Sequence, residues 1–326
     1  MGAQKNKKND LACGDDLKNR IIKIGTRTSK LALAQVAEVH LMLDEHFPNL
    51  KVEIQTFKTS GDKIQDRSLA DIGGKGLFIK ELEEALLENK IDIAIHSAKD
   101  VPPIIDLQTE IGAFTFRLDP RDCLISKKYS SIAKLPKNAK VGTSSPRRSA
   151  FLLRERPDLR IVNFRGNVDT RLKKVFDDEE VDATILAVSG LERLGKNQLL
   201  KNILPIEQIL PSGGQGSLAL QIRNNDSTIK EIVSKINDPN THICLTAERT
   251  FLRELGASCS TPVGVFCEIK NDQAIMKVVI IDYDGQSFYQ AQDSCSIDLV
   301  KAVKIAEGLA KQVKKEAKDL LKKLIN

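Results

Sequence analysis

Tryptophan is missing from this chain, and tyrosine occurs only three times. Proteins that hold single-stranded nucleic acid stack bases on such rings. The formal charge of +6 is therefore read as a preference for small anions, with no nucleic-acid partner. Histidine is scarce too. His40, His46, His96 and His242 form no H-E-x-x-H pair and none of the spacings of a zinc site, so no metal is expected. The six cysteines (Cys13, Cys123, Cys244, Cys259, Cys267 and Cys295) contain no C-x-x-C pair and read as reduced cytosolic thiols. No apolar run approaches bilayer-spanning length. The polar start lacks a signal peptide's apolar core, and Asn6 stands where myristoylation wants Ser or Thr. Residues 1–19 are thus expected to be a disordered leader on a cytoplasmic protein with no membrane partner. A G-x-S-x-G elbow is absent. Gly73-Gly74-Lys75-Gly76 lacks the spacing of a phosphate-cradling P-loop.

What is present is an alternation of strand and helix patterns, in a chain long enough for two or three domains. Ile21–Gly25 reads as a strand, followed by a helix capped by Thr28 or Ser29 and ended near Pro48, then a strand at Lys51–Phe57. A helix over Leu77–Asn89 leads into an apolar strand opening at Ile91. Lys58–Gly76 between them has no periodicity and reads as a lid, a binding loop or a disordered segment. A second unit runs from about Arg121 to Leu210, with strands at Asp122–Ser126, Lys140–Gly142, Arg160–Phe164 and Asp182–Val188. Its first strong helix starts at Ser144-Ser145-Pro146, and such a start offers free N–H groups to an anion. The glycine-rich Leu210–Gly216 fits a hinge, a close backbone approach to ligand, or a plain loop. Helices at Ile229–Ile236 and Ile243–Glu254, two antiparallel strands at Val263–Ile269 and Ala274–Tyr283, and a Lys-rich helix over Asp298–Leu324 make a small α+β portion.

Two features carry chemistry. The strand from Ile91 ends in His96-Ser97-Ala98-Lys99-Asp100-Val101-Pro102-Pro103, at a strand's carboxyl end where open α/β sheets bind ligands. Asp100 there reads as a lone carboxylate among cations, able to handle protons on an anionic substrate, or else as an ordinary turn Asp. Between Thr143 and Arg171 stand seven arginines and three acids. Arg154, Arg156 and Arg160 are read as surface residues paired with Glu155 and Asp158. Arg147, Arg148, Arg165 and Arg171 occupy element ends that can converge on one cleft, and guanidinium forks grip carboxylates. The pattern points to a pocket for a molecule with several carboxylates or phosphates. Composition alone does not make Cys259 special.

Taken together, the segments resemble the porphobilinogen deaminase (hydroxymethylbilane synthase) family. They are Thr26-Arg27-Thr28-Ser29, Gly73-Gly74-Lys75-Gly76-Leu77-Phe78, His96–Pro102, Asp119-Pro120-Arg121-Asp122, Gly142–Arg148, Arg165-Gly166-Asn167-Val168, Ile185-Leu186-Ala187 with Gly190-Leu191, Gly214-Gln215-Gly216 and Cys259. The resemblance implies a transferase that condenses four porphobilinogen molecules head to tail, releases ammonia at each step and frees hydroxymethylbilane by hydrolysis. It implies a dipyrromethane cofactor held on Cys259 by a thioether, with Asp100 as the catalytic carboxylate. Ser97, Lys99, Thr143, Ser145, Arg147, Arg148, Arg165, Asn167 and Arg171 become cofactor and substrate ligands. Arg27, Ser29, Gln35 and Arg193 serve incoming substrate, and Lys75 and Phe78 belong to or flank a mobile active-site loop. The implied fold is two α/β domains like those of a periplasmic binding protein plus a C-terminal α+β domain, acting as a monomer. Its divisions would be 20–115 with 216–236, then 120–211, then 238–326. The rival reading is a non-enzymatic two-lobed binding protein for a polycarboxylate anion.

Overall fold

A computed structural model describes residues 20–59 and 79–325. Lys75 and Phe78, most of the glycine loop and the leader lie outside the described residues. The first unit contains β1 (Ile21–Arg27), α1 (Lys30–His46), β2 (Lys51–Phe57), α2 (Lys80–Leu87), β3 (Ile93–Ser97) and β4 (Thr109–Phe114). Ser29 starts α1 by accepting the Ala32 N–H, which meets the capping expectation. β1 and β3 pair in parallel, and Ile22, Ile24, Ile93 and Ile95 are buried as strands covered on both faces require.

The second unit holds β5 (Asp122–Ile125), β6 (Lys140–Gly142), α3 (Pro146–Glu155), β7 (Arg160–Val162), α4 (Val168–Phe176), β8 (Ala183–Ala187) and α5 (Val188–Arg193). Its strands lie in the order β5-β8-β6-β7, with β6 parallel to both neighbours and β5 antiparallel to β8. Ser145 caps α3 with Pro146 in the first turn, as read from sequence.

The chain then returns to the first sheet. β9 (Leu218–Arg223) lies antiparallel between β3 and β4, giving the order β2-β1-β3-β9-β4. Sequence periodicity did not reveal β4 or β9. In β9 the apolar run is broken by Gln221 and Arg223, which are buried because each is fully engaged. Gln221 bonds His96, Glu83 and Thr109, while Arg223 bonds the Leu86 and Ile91 carbonyls and Asp92. Burial keeps the His96 imidazole neutral by lowering its pKa to about 4, so this motif histidine is a satisfied core residue.

α6 (Ser227–Ser234) and α7 (Pro239–Leu255) lead to a three-stranded antiparallel sheet of β10 (Val263–Lys270), β11 (Gln273–Ile281) and β12 (Phe288–Ser296), followed by α8 (Leu299–Glu316) and α9 (Lys318–Ile325). β12 is an edge strand of mostly exposed polar residues, which hid it from an apolar-alternation reading. The single helix expected over Asp298–Leu324 is two, broken at Ala317. Ala302, Ala306, Leu309, Ala310 and Val313 form the buried stripe of α8, so its lysines are the solvated face. Among the described residues no helix is long and apolar enough to cross a membrane.

Candidate active site

β3 ends at Ser97, and one 3-10 turn, Ala98–Asp100, carries Lys99 and Asp100 outward before the two prolines. The turn is fixed from both sides. Gln35 of α1 donates to the Ser97 hydroxyl at 2.8 Å. Arg249 of α7 donates to the carbonyls of Val101, Pro102 and Pro103 at 3.1, 2.9 and 3.4 Å. Lys99 reaches back to Gln215 Oε1 at 3.2 Å. Arg27 closes β1 and Ser29 spends its hydroxyl on the α1 cap.

From the second unit, Thr143 precedes α3 and accepts the Ser145 N–H, while Ser145 caps the helix. Asn167 caps α4, taking the Thr170 amide at 2.8 Å and the Thr170 hydroxyl at 2.9 Å through one oxygen. Arg171 donates through Nε to the Gly166 carbonyl. Arg193 bonds Glu38 of α1 at 2.6 and 3.2 Å and the Gly216 carbonyl at 3.2 Å, so it ties the two units together.

Arg147 and Arg148 turn inward. Both are buried against Asp122: Arg147 Nη2 lies 2.7 Å from one carboxylate oxygen, and Arg148 grips both oxygens at 3.2 and 2.7 Å. Arg147 also donates to the Leu210 carbonyl and Arg148 to that of Ile185. Burial alone would raise the Asp122 carboxyl, but the Arg148 and Arg147 guanidiniums outweigh it and hold the group well below the usual carboxylate range. The reading of Asp100 as the lone acid among these arginines therefore needs correcting. Asp122 precedes the cluster by 25 residues, and only the β5-β8 pairing brings it beneath α3. We expect Asp122→Ala to cost about 3–5 kcal/mol, because it strands two buried cations. Urea unfolding measures this, and a loss under about 1 kcal/mol would mean the arginines find other partners.

Other pairings also differ from expectation. Arg156 forks onto Asp158 at 2.7 Å as read, but Arg154 lies over the Phe288 ring at 3.6 Å, while Glu155 accepts from Gln208. β12, invisible in the sequence pattern, supplies that ring.

Cys259 follows α7 in an exposed turn held by the Ser258 N–H bond to Thr261. Neighbours crowd its thiol enough that desolvation, then the field of Asp100, raises its pKa. The same carboxylate acts on Lys99 and Arg171. Burial first, then Arg148, lower Lys99 to about 8. Burial, then Arg148 and Arg165, lower Arg171 to about 10. One group of electrostatic neighbours is thus formed by Lys99, Asp100, Arg148, Arg165, Arg171 and Cys259. Its cations outnumber its acids and disfavour one another, which is the electrostatic condition of a site built for an anion with several carboxylates.

A family model described as porphobilinogen deaminase, dipyromethane cofactor binding domain, matches residues 22–231, and one for the porphobilinogen deaminase C-terminal domain matches 242–319. A porphobilinogen deaminase of Nitrobacter winogradskyi is 47% identical over 82% of this chain and 85% of its own length. Those of Syntrophomonas wolfei and Rickettsia typhi are 43% and 48% identical over 85% and 76% of this chain, and 90% and 83% of theirs. The periplasmic aliphatic sulphonate binding protein SsuA from Escherichia coli overlaps 94% of this chain and 90% of its own, at 13% identity and a TM-score of 0.40.

Proposed function

The chain belongs to the porphobilinogen deaminase family, and from that premise we propose how its cleft divides the work of polymerising porphobilinogen. The enzyme joins four molecules head to tail into hydroxymethylbilane with loss of ammonia, on a dipyrromethane primer. When bound, that primer would supply the nucleophilic pyrrole carbon that takes the first new ring, each later ring adding to the one before it. The cleft suits it. Dipyrromethane carries carboxylate side chains, and Lys99, Arg165 and Arg171 offer a group of cations to such charge. Cys259 would carry it as a thioether, its sulfur near enough to Asp100 for that carboxylate to act on it.

Asp100 is the catalytic carboxylate: it faces the cleft and stabilises positive charge developing on the substrate pyrrole as ammonia leaves. Lys99, Arg165 and Arg171 hold carboxylates, with Ser97, Thr143, Ser145 and Asn167 around them. Arg147 and Arg148, whose guanidiniums are committed to Asp122, supply field and shape more than free forks. Arg27, Ser29, Gln35 and Arg193 would serve incoming substrate, and the family resemblance adds Lys75 and Phe78 to that role. The sheets support a division into 20–115 with 216–236, 120–211 and 238–326. Among the described residues the cysteines are free, which suits the cytoplasm.

The observation that carries this reading is that the Asp100 carboxylate acts on Lys99, Arg171 and Cys259 alike. The mass of the denatured protein tests it. An excess equal to two condensed pyrroles, with colour from Ehrlich's reagent, is expected, and a mass equal to the bare sequence would favour the polycarboxylate-binding rival. A pH profile tests Lys99. Its ammonium grips carboxylate only while protonated, so kcat/KM should fall as pH rises through a limb at or above about 8, a bound carboxylate pushing the limb upward. Lys99→Arg, charged throughout, should move that limb to higher pH. A limb that stays put would remove Lys99 from carboxylate binding.

A further inference from the structure

The glycine-rich crossing read as hinge, close approach or plain loop has a more specific content. Gly214 and Gly216 have φ of +79° and +109°. A Cβ on Gly214 would sit 2.7 Å from the Ala98 carbonyl carbon and 2.8 Å from the Lys99 nitrogen, and one on Gly216 would sit 2.5 Å from the Leu118 oxygen. The two glycines therefore let the residue between them lie against the backbone of the Lys99 turn and of the first crossing. That residue, Gln215, is buried, 1% exposed, and every polar group it has is engaged. Its side-chain nitrogen donates to Asp122 at 2.9 Å and to the Pro120 carbonyl at 2.7 Å. Its side-chain oxygen accepts the Lys99 ammonium at 3.2 Å. Its backbone carbonyl accepts Arg117 Nε at 2.8 Å, its backbone N–H donates to Ser212, and Arg117 continues to Glu248 of α7.

We propose that Gln215 is a positioning residue for the reaction: one amide plane, fixed on Asp122 by its nitrogen, presents its oxygen to Lys99 and so sets where the Lys99 ammonium points in the cleft. An amide suits the post. Lys99 has donors only and Asp122 acceptors only, so a residue between them must accept on one side and donate on the other. Gln does both without adding charge to a site crowded with Arg147, Arg148, Asp122 and Asp100. The bridge also joins the two units at the crossing between them, so the arginine–Asp122 cluster and the Asp100 turn keep one relative geometry. This inference rests on the reading of Lys99 as a carboxylate ligand.

A double-mutant cycle on the full holoprotein tests it, reading kcat and KM separately. Gln215→Met keeps the volume and removes the amide. It should lower kcat/KM about ten- to hundred-fold, the worth of a hydrogen bond to a charged group. In a Lys99→Met background the same change should cost no more than roughly twofold, the scatter of additivity. Multiplicative losses in the two backgrounds, or wild-type behaviour of Gln215→Met, would overturn the inference while leaving the role of Lys99 standing. Unaltered turnover in Lys99→Met alone would overturn the role of Lys99 and the inference with it. Gln215→Glu keeps an acceptor for Lys99 but sets an acid against Asp122. It should therefore unfold at lower urea than wild type yet keep kcat/KM above that of Gln215→Met. If Gln215→Met does not fold, Gln215→Glu in both backgrounds decides: turnover near wild type supports the bridge, and a loss that is the same with and without Lys99 sinks it.

Discussion

Cys259→Ser should erase turnover and reduce the denatured mass to that of the bare sequence with the one substitution, while the fold survives. Cys259 is exposed on a turn after α7, and the core against which α7 packs does not include it, so little packing is lost. What changes is chemistry. A thiolate is a strong nucleophile, whereas a serine hydroxyl is a weak one with no adjacent base to activate it. The thiol is already hard to ionise, because crowding and then the Asp100 carboxylate raise its pKa. Loading of the primer in the native chain should consequently accelerate with rising pH, the thiolate being favoured, even as the Lys99 limb weakens carboxylate binding. Stopped samples weighed by mass spectrometry would follow the adduct. A variant that still carries the mass excess would place the attachment on another residue.

Asp100→Ala is expected to lower kcat by about a hundred- to a thousand-fold, the scale for removing a group that stabilises charge in the transition state. Its covalent mass excess and unfolding midpoint should stay close to wild type. The carboxylate stands on a 3-10 turn anchored by Gln35 at one end and Arg249 at the other, so its loss leaves the turn in place. Asp100→Asn keeps the shape and removes the charge, and should be impaired nearly as much. Asp100→Glu keeps the charge on a longer arm and should recover part of the rate. If the asparagine variant worked at a wild-type rate, charge would not be the contribution of this residue. If alanine cost folding as well, the residue would be structural.

Much of the architecture could be read from the chain because it follows from local rules: Ser29 and Ser145 as caps, Pro146 in a first turn, and a buried strand expected over Ile91–Ile95 that is found two residues later at Ile93–Ser97. β9 could not, since Gln221 and Arg223 look like surface residues until His96, Glu83 and Asp92 are placed around them. β12 failed for the opposite reason, being an edge whose polar side chains face water. In the site, Asp100 and the converging arginines were visible as residue types at element ends. That Arg147 and Arg148 face Asp122, and that Gln215 reaches both Lys99 and Asp122, depends on contacts between residues 25 to 116 positions apart, which no window of sequence contains.

The three hydrogen bonds from Arg249 have a mechanical outcome. Arg249 lies on the helix that runs directly into the Cys259 turn, and it holds the carbonyls immediately after Asp100. On the proposed roles of Cys259 and Asp100, sulfur anchor and acid are thus held on one frame, and a shift of the second α/β half would leave the gap between them unaltered. A polymer lengthened at its free end cannot gain room by stretching that gap. On that proposal, successive rings would be threaded past a stationary workbench, the cationic wall of the other half exchanging one carboxylate for the next as the chain advances.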